Sequence, residues 1–223
     1  LALAENITIG VIKNLLRLQY LMQYHSDRNL KSIDPVVQKI LAIALYHLFF
    51  FDRIPASAAV YQAVEQPRRF GQSKAAGFVN AVLLKAARDP AAPLPPRTSA
   101  ADYANIVLSH PPELFLKLEQ LLGKEGALDF CAHNQLEPPV IIRASADISD
   151  LVSPSDGPIT LTPHEQSGMY VVTGARRAHL ASWAARGLAQ AQDPTAAAVV
   201  AHLHAEPGRT LLDRCAGLGT KTM

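Results

Sequence analysis

The sequence has few cysteines, no long apolar run and no strong excess of either charge. Its two cysteines, Cys131 and Cys215, stand far apart and make neither a disulfide framework nor a zinc spacing, so a reducing cytoplasm is the expected compartment. No stretch reaches the roughly eighteen apolar residues of a membrane helix, so no membrane association is expected. The richest, Ile40 to Phe51, is interrupted by His47 and followed by Asp52-Arg53, and it reads as a buried helix. Leu1-Ala2-Leu3-Ala4-Glu5-Asn6 carries neither a basic n-region nor an initiator methionine. It is therefore no signal peptide, and the chain is expected to be cut at both ends. A net charge of +2 names no polyanionic partner by itself, because nucleic-acid surfaces are marked by clustered charge rather than by totals.

What is present is a hydrophobic content of 49% against 18% charged residues, spread along 223 positions. That composition excludes a disordered or fibrous chain and leaves room for more than one folded unit. In the first ninety positions apolar residues recur at three and four: Ile7, Val11, Leu15, Leu18 and Met22, then Val37, Leu41, Ala44, Leu45 and Leu48. This is the period of amphipathic helices. Asp34-Pro35 opens the second as an N-cap with proline in the first turn, and Asp52 with Pro55 closes it. A third helix fits Ala58 to Gln66 and a fourth Ser73 to Arg88, with Ala75, Phe78, Val79, Val82, Leu83 and Ala86 on its apolar side. Residues 1–90 thus form an all-helical domain.

Asp89-Pro90-Ala91-Ala92-Pro93-Leu94-Pro95-Pro96 cannot continue a helix, and residues 91–102 read as a semi-rigid interdomain linker. Residues 103–185 follow as a small α+β module. Its helical stretches, Pro112 to Leu122 and Glu125 to Gln135, are separated by Gly123 as an αL cap. Its strands are Val140 to Arg143, Ile159 to Leu161 and Tyr170 to Thr173. Residues 186–223 run as a short extended piece, a helix from Pro194 to about His204, a Glu206-Pro207-Gly208 turn and a strand from Thr210 to Asp213. A strand that feeds the glycine loop Gly217-x-Gly219 is how a Rossmann-like α/β domain begins, with a ligand outside the strand's carboxyl end. Spacing alone leaves a ligand loop and a purely structural turn about equally supported.

The segment Leu212-Asp213-Arg214-Cys215-Ala216-Gly217-Leu218-Gly219-Thr220-Lys221-Thr222 resembles the first methyltransferase motif, LDxCAAPGGKT, of the Sun/Fmu family of ribosomal RNA cytosine-5 methyltransferases. Gln192-Asp193-Pro194-Thr195 resembles that family's VQDxS segment. Ile40 to Leu48, Asp52 to Val60 and Gly77 to Leu83 resemble its NusB-like domain, while Ser109-His110-Pro111 and Glu137 to Arg143 resemble the segment that joins the two. The likeness covers nearly the whole chain, in order. It implies S-adenosyl-L-methionine as cofactor, with Cys215, Ala216, Gly217, Leu218, Gly219, Thr220 and Lys221 as the cofactor-binding loop. It also implies small-subunit (16S) ribosomal RNA as partner and substrate, and a protein that works as a monomer.

Leu218 stands where the family commonly has proline, Gly217 where it has alanine, and Thr220 where it has the second glycine. The family's catalytic cysteines lie in later motifs that neither Cys131 nor Cys215 matches, so no catalytic residue is assigned and the fragment alone is expected to be inactive and to hold the cofactor weakly or not at all. Cys215 is expected to pack against the loop as an inert thiol. Lys221 either approaches the cofactor carboxylate or is the first exposed residue of the next helix. Arg68-Arg69 with Lys74, and Arg176-Arg177 with His179, are either phosphate contacts or solvated helix ends. His202 and His204, two apart on a helix, face different ways, and no metal site is expected. Tyr46, Phe49, Phe50 and Phe51 read as core rather than a base-stacking platform. Two rival readings stand beside the enzyme: a NusB-like binding module without catalysis, and a degenerate homologue that has lost the cofactor.

Overall fold

The computed structural model describes residues 2–51, 55–145, 147, 151–152, 157–204, 208–217 and 219, and the chain divides into two compact units, Leu1–Leu136 and Glu137–Met223. Unit one is helical. Helices α1 (Ala2–Lys13), α2 (Leu15–Ser26), α3 (Pro35–Phe50), α4 (Ala56–Arg69) and α5 (Ala76–Arg88) enclose a core of Leu18, Leu21, Met22, Val37, Leu41, Leu45, Val79 and Leu83. The Asp34 carboxylate accepts the amides of Val36 and Val37 at 2.8 and 3.4 Å, so the N-cap read from the sequence opens α3. The closing residue Asp52 lies outside the described residues.

The period from Ile7 to Met22 is broken into two helices. Asn14 leaves the helical region at φ −106°, ψ 20°, and its amide turns back to the Gly10 carbonyl at 2.9 Å. The first-turn amide of Leu16 is satisfied from across the unit by the Ser109 hydroxyl at 3.0 Å. Beyond α3, α4 extends past the expected Gln66 and takes in Pro67, which forgoes one i→i−4 hydrogen bond but lies so near the helix end that little helix follows it. The fourth helix begins as a 3₁₀ turn, Ser73–Ala75, before α5.

His25 is buried within this core between Tyr24 and Phe49, and among the described residues neither ring nitrogen has a hydrogen-bond partner. Burial first, and then the nearby Lys85 ammonium, hold its pKa below the ordinary value, against Asp89 and Asp27. Burial alone does the same to His47. A histidine depressed in the folded state binds fewer protons there than in the unfolded chain. Its contribution is fully present above the unfolded value near 6.5 and is lost as pH falls toward the folded one. The urea midpoint should therefore be lower at pH 5.5 than at pH 7.5, and His25→Phe should reduce that difference. An unchanged difference in this variant would count against the assignment.

The proline-rich stretch does not separate the units. Ala92 is buried in the first core, the Tyr20 hydroxyl donates to the Pro93 carbonyl, and Arg97 pairs with Glu125 and Asp129 at 3.2 and 2.7 Å. Helix α6 (Ala100–Asp102), a π-helical turn at Tyr103–Val107 and α7 (Pro112–Asn134) complete unit one around Phe115, Leu128 and Cys131. Lys13 caps the end of α7 by donating to the carbonyls of Gln135 and Leu136 at 2.7 and 3.1 Å. The division between units therefore falls after Leu136, not within residues 91–102, because prolines that cannot be helical can still pack. Gly123 interrupts α7 at φ 72°, ψ 170°. That is an extended, glycine-only conformation rather than the expected αL cap, and it kinks the helix.

Unit two is a four-stranded antiparallel sheet, order β2-β3-β1-β4, with β1 (Val140–Ala144), β2 (Thr160–Pro163), β3 (Met169–Thr173) and β4 (Ala189–Ala191). The three expected strands form, and the extended piece before the last helix becomes the edge strand β4. Helix α8 (Arg177–Ala185) brings Trp183 onto Ile142, Val172 and Ala189. Helix α9 (Pro194–Ala201) follows, capped by Asp193. Residues 210–213 form no strand: Leu211 and Leu212 are exposed, and no ladder partner is hydrogen bonded to them among the described residues. An isolated extended segment has no neighbour to complete its backbone hydrogen bonds, so the Rossmann-like start expected there is not formed by the described residues. Among the described residues no helix is long and apolar enough to cross a membrane.

Candidate functional site

The loop that the sequence singles out is described at Cys215, Ala216, Gly217 and Gly219, whereas Leu218, Thr220 and Lys221 lie outside the described residues. The Asp213 carboxylate accepts the Cys215 amide at 3.0 Å, and the Gly219 amide donates to the Ala216 carbonyl at 2.8 Å, closing a tight turn. Gly217 and Gly219 sit at φ 56° and 80°, and among the described residues a Cβ at either would meet no atom within 4 Å beyond its chain neighbours. The backbone thus faces open space on the side where a side chain would stand, which suits close approach by a ligand. Cys215 is exposed, so the packed position expected for it is not found among the described residues: residues 210–213 form no strand and do not cover it. Cys131 is the buried thiol, and burial raises its pKa, which makes it a poor nucleophile.

Two other motif segments do meet. The Gln192 amide donates to the Ile141 carbonyl at 3.1 Å, extending the β1–β4 pairing, and a cavity of about 340 Å³ lies between Pro139, Val140 and Ile141 on one side and Ala191, Gln192, Asp193 and Pro194 on the other. Asp193 is spent on the cap: its carboxylate accepts the amides of Thr195 and Ala196 at 2.8 and 3.2 Å, and these hydrogen bonds hold its pKa below the usual carboxylate value. Gln166, with its amide oriented to satisfy both neighbours, ties the β2–β3 turn to α9 through the Pro194 carbonyl and the Ala198 amide. Neither Gln166 nor β4 carried a sequence signal beyond a short extended stretch.

The Ser109-His110-Pro111 segment acts within unit one. Ser109 adopts φ 57° and caps α2, and the buried His110 ring lies 2.7 Å from the Leu108 carbonyl and 3.4 Å from the Asn134 amide. Tyr46, Phe49, Phe50 and Phe51 are half-buried around the first core, with Arg17 over the Phe50 ring at 5.1 Å. Of the two basic clusters, Arg68 pairs with Glu65 at 3.3 Å while Arg69 and Lys74 stand exposed. In the other, the His179 ring accepts the Arg176 amide at 3.0 Å and so begins α8.

Residues 1–88 match the NusB family. Over 99% of its length the chain is similar to proteins named ribosomal RNA small subunit methyltransferase B. That of Pseudomonas syringae pv. tomato is 26% identical over 226 residues, 49% of its own length, and that of Vibrio cholerae is 29% identical over 228 residues, 51% of its own length. The chain spans about half the length of these curated relatives. The transcription antitermination protein NusB of Bacillus velezensis is 37% identical over 83 residues, which cover 37% of this chain and 64% of that protein. Among solved structures, the crystal structure of PH0851 superposes with a TM-score of 0.66 at 17% identity, covering 95% of this chain and 49% of that one, a likeness of fold alone.

Proposed function

We propose that this chain, with its NusB domain and its end-to-end similarity to small-subunit ribosomal RNA methyltransferases, is part of an enzyme that methylates carbon 5 of a cytosine in 16S ribosomal RNA. The observation that carries this reading is the similarity over 99% of the chain, because a NusB-like binding module would account for residues 1–88 only. S-adenosyl-L-methionine is the methyl donor such a reaction requires. The loop Cys215–Lys221 would hold it: Gly217 and Gly219 leave its backbone amides open to a ligand, and the Asp213 carboxylate fixes the turn that presents them. The helical unit and the antiparallel unit bind folded ribosomal RNA and position it, while the cytosine leaves its stack to react.

Calorimetric titration of the full-length protein with S-adenosylmethionine tests the cofactor assignment, and bisulfite mapping of rRNA from a deletion strain, with and without the restored gene, tests the position of the methyl group. Heat of binding is expected, together with one cytosine that loses protection in the deletion. Gly217→Val, which forces a β-branched residue into a left-handed conformation, should weaken the cofactor at least about tenfold, about 1.4 kcal/mol. Absence of heat with RNA binding retained would instead favour a binding module or a degenerate homologue.

A further inference from the structure

We propose that the end of the helical unit formed by the α2–α3 and α4–α5 connections is the surface that grips RNA, taking backbone phosphates on Arg28, Lys31, Arg69 and Lys74 and an unpaired base on Phe70. The two connections are about forty residues apart in sequence, and two contacts bring them together. The Gln72 amide donates to the Asp34 carboxylate at 3.0 Å, joining the α4–α5 turn to the start of α3, and the Arg28 guanidinium lies over the Phe78 ring of α5 at 4.7 Å. The cations Arg28, Lys31, Arg68, Arg69 and Lys74, all exposed, therefore share one end of the bundle.

Three acids near this end are already engaged. Asp27 pairs with Lys85 at 2.8 Å, Asp34 caps α3 and holds Gln72, and Glu65 pairs with Arg68. Among the described residues no carboxylate is paired with Arg28, Lys31, Arg69 or Lys74. Such cations gain most from a polyanion, whose condensed counterions they release. Phe70, 61% exposed beside Arg69, adds a flat apolar face of the kind on which unpaired RNA bases stack. A chain of net charge +2 thus gathers a cluster of exposed cations at one end of its helical unit, where an aromatic ring is also exposed.

This inference rests on the proposal that the partner is RNA, and its test separates the two. Binding of the full chain to a fluorescein-labelled RNA hairpin with an unpaired uridine tail, followed by anisotropy across a potassium chloride series, gives a dependence of log affinity on log salt. Each phosphate contact contributes roughly 0.7 to 0.9 to its slope. The variant Arg28→Gln/Arg69→Gln/Lys74→Gln should flatten the slope by about 2 to 3. The matched variant Arg88→Gln/Lys117→Gln/Lys124→Gln, elsewhere on the unit, should leave it unchanged beyond nonspecific drift. Phe70→Ala should weaken the tailed hairpin and not a blunt duplex, with no change of slope. An unchanged slope in the first triple variant, with its circular dichroism and melting intact, would overturn the surface and leave the methyltransferase reading standing. Displacement by poly-glutamate as effective as by RNA would overturn it in favour of an acidic protein. Loss of slope as expected, in a full-length protein that gives no cofactor heat, would keep the surface and remove the methyltransferase.

Discussion

Replacing Phe115 by alanine is expected to cost unit one about 3–5 kcal/mol, the range for truncating a large aromatic in a core that cannot close over the space. Phe115 is 1% exposed in a cluster whose other buried members are mostly small, Ala100, Ala104, Ala127 and Cys131 beside Leu108 and Leu128, with Tyr103 and Leu118 packed at its edge. Alanines have no rotamers with which to fill a void, so most of the cavity should persist and the upper part of the range is expected. The loss should appear as a lower urea midpoint followed by far-UV ellipticity, since unit one is the helical part. A shift equivalent to less than about 1 kcal/mol would show that residues 100–135 are not cooperatively packed with the remainder of the unit. Phe115→Leu, which retains most of the volume, should recover much of the stability.

The helices were legible wherever the local signals agreed. At α3 an aspartate cap, a first-turn proline and a steady apolar period all point one way, and the helix begins where they say. The break at Asn14 was not legible, because the group that satisfies the Leu16 amide comes from Ser109 at a sequence distance no local pattern reaches. Prolines 90–96 read as a separator for the same reason: local chemistry forbids a helix there, but it is the tertiary contacts of Ala92, Pro93 and Arg97 that fasten the stretch to unit one. The candidate strand at residues 210–213 shows the opposite failure, since its residues favour extension while extension without a partner makes no sheet. At the candidate sites, glycine spacing and the doublet Arg68-Arg69 were visible as motifs. The grouping of Arg69 with Arg28 and Lys31 depends on Gln72 reaching Asp34, which only the folded chain reveals.

Trp183→Ala should be the most damaging single truncation in unit two. Trp183 is 3% exposed and shares one buried cluster with Ile142 of β1, Val172 of β3 and Ala189 of β4, so α8 contributes its largest core side chain to the packing of three of the four strands. The cluster's buried members number five, the others being Ile142, Leu151, Val172 and Ala189. Phe or Trp to Ala typically costs about 3–5 kcal/mol, against a whole-unit stability of roughly 0.05–0.15 kcal/mol per residue. A unit of the size of Glu137–Met223 has roughly 4–13 kcal/mol on that scale, so the substitution should remove a large share of its stability. Because Trp183 is the only tryptophan, its fluorescence follows unit two alone in the wild-type chain, and the variant must be read another way, by backbone amide exchange. Amides of β1 and β3 should lose protection by about two orders of magnitude or more, matching 3 kcal/mol. Retained protection there would mean that strand pairing, not the α8 ring, carries the sheet. In that case the β1–β4 edge that presents Gln192 and Asp193 would stand without its helix.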